Sequence, residues 1–201
     1  MTPETAALFV ADGYRFCIRY VSRAESQGAS DLTTSEALNI LQAGLALSVV
    51  QHPRLPGWTP SRELGSQDGS RAVQHAIDIG LPPGVNIWCD LEGVPPATPA
   101  EIVIDHCNAW FDAVSASGYV PGIYVGSDAI LEGEALHARL KFSHYWKSLS
   151  NVPDIAVRGY QMVQKDNHAA HGLSIDNNVT QSDRLGGTVI WLAPEPSGVV
   201  T

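Results

Sequence analysis

Charge is scarce in this chain, and basic charge scarcer still. Charged residues make up 16% of the 201, with 12 Lys and Arg against 21 Asp and Glu, for a formal net charge of −9. That balance argues against nucleic acid or an anionic membrane surface as the main partner, because both are bound through basic clusters. The three cysteines, Cys17, Cys89 and Cys107, are an odd number without C-x-x-C spacing. They are expected as reduced core thiols, which suits synthesis in a reducing compartment. No apolar run approaches transmembrane length, and Met1-Thr2-Pro3-Glu4-Thr5 lacks the basic start of a signal peptide. The expectation is cytoplasmic synthesis, with any delivery to a cell wall by a route the sequence does not display. No G-x-G-x-x-G or G-x-x-x-x-G-K-[ST] follows any candidate strand, so no nucleotide cofactor is expected. The seven histidines show neither H-x-x-x-H nor H-E-x-x-H spacing, so no metal is expected either.

What the chain does have is core. Hydrophobic residues make up 44%, enough for one domain spanning residues 1–201. Thr2-Pro3-Glu4 reads as the start of a helix that stops at Gly13, with Thr2 as N-cap and proline at the first position. Strands are expected over 14–21, 45–51, 85–92 and 122–125, then over 142–146, 158–163 and 173–179. Helices are expected from Asp31 to Gly44, over 68–79, from a capping box at Thr98-Pro99-Ala100-Glu101 to Gly118, and over 128–140. The polar stretch from Lys165 to Gly172 reads as a loop, and residues 189–192 as a segment packing at the end. Strand and helix alternating with short links imply a mainly parallel sheet covered by helices. Without a nucleotide fingerprint, a (β/α)8-like TIM barrel is the better reading than an open doubly wound sheet.

The chemistry concentrates in Val85-Asn86-Ile87-Trp88-Cys89-Asp90-Leu91-Glu92-Gly93. Side chains alternate along a strand, so Trp88, Asp90 and Glu92 share one face, about 6–7 Å between successive members. Two acids at the C-terminal end of a buried strand cost desolvation and mutual repulsion, which a structural role rarely requires. In a barrel, reactive groups lie at such strand ends. His52, Tyr124, Trp146, Gln161 and Asp176 are expected at equivalent positions. Trp88, Trp146 and Tyr124 are candidates to line a ligand site there. Arg19, inside a strand, needs a counter-charge, and an acid of the site would serve. Trp58 reads as a lid or an anchor in its proline-rich loop, and Trp110 as core.

Five stretches together resemble a known group: Gly13-Tyr14-Arg15-Phe16-Cys17-Ile18-Arg19-Tyr20, Ala43-Gly44-Leu45-Ala46-Leu47, Asp90-Leu91-Glu92, Gly118-Tyr119-Val120-Pro121-Gly122-Ile123-Tyr124, and Gly159-Tyr160-Gln161 with Gly172 and Asp176. The chain is similar to the glycoside-hydrolase-like barrel domain of the DUF1906 type, related to the family 25 lysozymes. The resemblance implies cleavage of glycan strands of peptidoglycan or a related amino-sugar polymer, with Glu92 as general acid and Asp90 as its partner. It also implies substrate-binding roles for Asp176 and Gln161. Members of that group begin with a strand ending in Gly-Phe-Asp, placed before the helix that starts here at Thr2. The expectation is therefore a barrel lacking, or irregular at, its first strand. A non-catalytic barrel that binds cell-wall glycan without cleaving it is the alternative.

Overall fold

The structure, a computed structural model, describes residues 1–194. Seven strands form one sheet whose spatial order is their sequence order: β1 (Phe16–Val21), β2 (Ala46–Gln51), β3 (Asn86–Leu91), β4 (Val120–Val125), β5 (His144–Lys147), β6 (Met162–Ala170) and β7 (Leu173–Thr180). The pairings from β1 to β6 are parallel, and β7 returns antiparallel to β6. The sheet curls into an irregular TIM-like barrel in which β1 and β7 are the two ends. No helix among the described residues is long and apolar enough to cross a membrane.

Strand alternation splits the apolar residues into two clusters. The larger lies between sheet and helices and takes Ile87, Cys89 and Leu91 of β3 together with Cys107 and Trp110. The smaller fills the inside of the curl with Val50, Trp88, Trp146, Met162 and Val189, flanked by Phe16, Ile18, Tyr20 and Tyr124. Gly122 faces Trp88 across the β3–β4 pair, and a Cβ there would sit 2.4 Å from the indole. The segment before residue 193 plugs this interior at the N-terminal ends of the strands. Leu192 exchanges backbone hydrogen bonds with Leu47, and Ile190 does so with Asn86 through that residue's backbone N–H and side-chain oxygen.

The covering helices are α1 (Pro3–Ala11), α2 (Thr34–Gln42), α3 (Arg62–Asp78), α4 (Ala100–Ala116) and the short α5 (Gly133–Ala138). The Thr2 hydroxyl caps α1 by accepting from the Thr5 N–H, and Gly13 ends it at φ 97°, the left-handed geometry glycine allows. Helix α3 starts six residues before Asp68, capped by the Ser61 hydroxyl. Its glycines, poor helix formers, are there for contact: a Cβ on Gly65 would lie 2.1 Å from the His106 carbonyl of α4.

Four local expectations are corrected. The Thr98 capping box is not made: α4 begins after Pro99 with no side-chain cap, and Glu101 pairs with Arg139 at 2.5 Å instead. The helix expected over 128–140 shrinks to α5, because Asp128 and Ile130 adopt φ of 55° and 56°. The strand expected over 158–163 starts only at Met162, since Val157 and Gly159 turn the chain at φ 64° and 78°. The expected loop at 165–172 is instead the β6–β7 hairpin, turning at His171-Gly172. The tip of that hairpin reaches across to the start of the chain, where His171 Nε2 meets Asp12 at 2.7 Å and His168 meets the Tyr14 hydroxyl.

Candidate active site

Trp88, Asp90 and Glu92 fall on the inner face of β3, as alternation requires. Asp90 pairs with Tyr124 across the β3–β4 register, at the C-terminal mouth. Glu92 lies just past the strand end, before Gly93 turns the chain at φ 66°. Two contacts fix it. The Trp58 indole N–H donates to the Glu92 carbonyl at 2.8 Å, so Trp58 is an anchor. Gly126 packs so closely that a Cβ there would come within 2.5 Å of the Glu92 carboxylate.

Both acids are partly buried, and Asp90 Oδ1 is out of water without a hydrogen-bond partner. Burial is the main cause that pushes the Asp90 carboxyl well above the usual carboxylate range, and the charge of Glu92 adds to it. Glu92 is raised as well, first by burial and then by the charge of Asp176 on β7. Neighbouring carboxyls of this kind resist ionising together.

Around the pair stand Tyr20, Tyr124, Trp146, His52 and Asp176. Burial and the charges of Asp90, Asp176 and Glu92 push the Tyr20 phenol up to about 12, so it stays a hydrogen-bond donor. Tyr124 is raised by the same causes, and its hydroxyl donates to Gln164 at 3.0 Å. Its ring meets that of Trp146 edge-on at 4.6 Å, while the Trp146 N–H donates to Asn178 at 2.8 Å. His52 stacks on Tyr20 at 4.2 Å and bonds the buried Asp31 at 2.6 Å. A cleft of about 810 Å³ opens between β1 and β7, with Tyr20, Trp146 and Asp176 on its walls.

Two expected site residues lie away from the cleft, and a third reaches it from another side. Trp88 is fully buried, with its N–H donating to the Ser48 hydroxyl, inside the smaller apolar cluster. Arg19 lies on the strand face opposite Tyr20 and pairs with Glu36 of α2 at 2.8 Å, and both line the β1 side of the cleft. Gln161 precedes β6 at the far end of the barrel, fully buried, and serves the Tyr145 N–H, the Ser143 carbonyl and Asp183. Burial holds the thiols towards their protonated form: it raises Cys89 strongly and pushes Cys17 and Cys107 up to about 12. Among the described residues no three or more His, Cys, Asp or Glu side chains cluster to hold a metal ion.

Sequence reasoning missed Tyr20 and Arg23. Arg23 follows β1, donates to the Pro53 carbonyl, and is the positive charge that opposes the upward shift of Asp90. Arg23→Met is expected to drive the Asp90 carboxyl higher still. A carboxyl-carbon NMR titration checks this, and an unchanged Asp90 midpoint would remove Arg23 from the site.

The arrangement is one of raised carboxyls under aromatic walls at a barrel mouth. A family description, the Rv2525c-like glycoside hydrolase-like domain, matches residues 6–187. The chain belongs to the Rv2525c-like glycoside hydrolase-like family. Among solved structures, it is similar to the Tat-secreted protein Rv2525c of Mycobacterium tuberculosis in complex with L-tartrate. The two share 20% identity over 90% of this chain and 92% of that one, with a TM-score of 0.69. A second crystal form of Rv2525c, with HEPES, gives 19% identity and a TM-score of 0.69 over 94% of each chain. An uncharacterized B. stearothermophilus protein gives 16% and 0.61 over 90% of this chain and 92% of that one. At these identities the likeness establishes the fold that the Rv2525c-like family shares. No curated protein matches the chain.

Proposed function

We propose that this barrel is a glycosidase that cleaves the glycan strands of peptidoglycan or a related amino-sugar polymer. The observation that carries the reading is the pair of raised carboxyls, Asp90 and Glu92, beside an aromatic-walled cleft of about 810 Å³. Glycoside cleavage needs one protonated carboxyl at the leaving oxygen and negative charge near the sugar carbon that turns positive. Glu92, at the strand end, is the general acid, and burial with the charge of Asp176 shifts it in the direction that role requires. Asp90, deeper on the same face, is its partner. Asp176 faces the sugar from the cleft wall together with Trp146, while Tyr124 packs against Trp146 and His52 against Tyr20. The proton passes to the glycosidic oxygen as the bond to the sugar carbon breaks, and water completes the hydrolysis. A polymer substrate suits a cleft open along the side of the barrel, and the cell wall is the setting we propose for it. That setting also fits a relative described as Tat-secreted.

Reducing-end release from purified peptidoglycan tests the reading. Glu92→Gln is expected to lower release by about 100-fold or more. Equal release by variant and wild type would remove Glu92 from the mechanism. One observation favours a second reading, a non-catalytic glycan-binding module. Among the described residues no hydrogen bond holds the Asp90 or Glu92 side chain in place. Retention on cell walls with no product after prolonged incubation would decide for the module.

A further inference from the structure

A second cavity lies outside the barrel mouth, between helix α3 and the loop that follows β1. It measures about 490 Å³, within the range of small-ligand sites. Its inner wall is His75, only 6% exposed. The His75 Nδ1 accepts the Ser22 backbone N–H at 2.6 Å, so the neutral ring carries its proton on Nε2. That Nε2 is buried and has no partner. A buried N–H without an acceptor is costly, and an acceptor on a bound ligand would satisfy it.

The rest of the lining decides what the ligand is. Ala24 is the one apolar side chain among residues that are otherwise serine, glutamine or charged. Charges are answered locally: Arg71 pairs with Glu25 at 3.2 Å, and Asp78 accepts from the Gln74 amide at 2.8 Å. With two acids against one guanidinium, an anion is disfavoured. Gln67 and Gln74 present carboxamide groups along one side of α3, spaced to meet hydroxyls that both donate and accept. We propose that this groove is a binding site for a neutral saccharide, separate from the acids at the mouth and independent of any reaction there. It is nevertheless tied to the mouth, because Arg71 also donates to the Arg23 carbonyl at 3.0 Å and so holds the loop that carries Arg23.

The test is a side-chain nitrogen NMR titration of the full chain with chitotriose, with cellotriose, and with inorganic phosphate. Either trisaccharide is expected to shift His75 Nε2 and the Gln67 and Gln74 amides saturably, and phosphate is expected to do nothing. Gln67 and Gln74 are exposed helix positions, so the Gln67→Ala, Gln74→Ala double variant keeps the fold and should lose about tenfold in affinity, or 1.4 kcal/mol. Glu92→Gln should leave the groove shifts untouched, which separates this site from the fate of the mouth. The proposal is overturned by the absence of saturable shifts at His75 with both sugars. A response to phosphate alone, sugar shifts confined to Tyr124 and Trp146, or unchanged affinity in the double variant would each overturn it too.

Discussion

Asp90→Asn is expected to stabilise the protein at neutral pH by about 1–3 kcal/mol, while removing the turnover proposed for the site. The carboxyl is raised in the folded state by burial and by Glu92. For a group raised on folding, the native state binds protons more tightly than the unfolded chain does. Its stability contribution is full below the unfolded pKa and is lost as pH rises through the folded one. Asparagine cannot ionise, so the variant's advantage should be absent in acid and should grow through that window. Urea midpoints across about pH 4 to 9 measure it. A variant less stable than wild type at every pH would mean that Asp90 is held by native contacts rather than strained by them. Gain in stability with loss of activity is the trade expected where a fold keeps an acid for chemistry.

Gly65→Ala is expected to force two packed helices apart. The new Cβ would lie 2.1 Å from the His106 carbonyl oxygen and 2.9 Å from its carbon, both backbone atoms that no rotamer change can move. Helices α3 and α4 must then separate, at a cost of about 3 kcal/mol, although alanine is the better helix former. Thermal unfolding should show a drop of roughly 6–12 °C, the scale for a chain of about 200 residues. An unchanged midpoint would show that the two helices are not in backbone contact there.

The parts of this molecule legible in sequence are those set by periodicity. The strand–helix alternation, the glycine stop at Gly13 and the shared face of Trp88, Asp90 and Glu92 follow from spacing alone. Where spacing was set aside, the placement differed from the expectation. Arg19 was taken as a site residue for its charge, yet the same alternation points it at α2 and brings Tyr20 to the acids. Gln161 was expected near the end of a strand over 158–163, but Val157 and Gly159 turn the chain and the strand starts at Met162, which leaves Gln161 at the end opposite the mouth. The hairpin was hidden because Lys165 to Gly172 is polar on both faces, so no alternation marks it as strand. Arg23 had no local signal, since its meaning depends on a carboxylate 67 positions on. The groove at His75 was equally invisible, because its lining comes from α3 and a distant loop.

The sheet whose spatial order is its sequence order carries a consequence for how the chain is assembled. Each strand pairs with the one made just before it, so the sheet can grow by addition at one edge as synthesis proceeds. No pairing waits on a distant segment until the hairpin tip meets Asp12 and Tyr14, and Leu192 meets Leu47. Those late ties span large sequence separations and close long loops. Order in the cleft between β1 and β7 thus comes last in folding, and the first fluctuations of the finished protein should begin there.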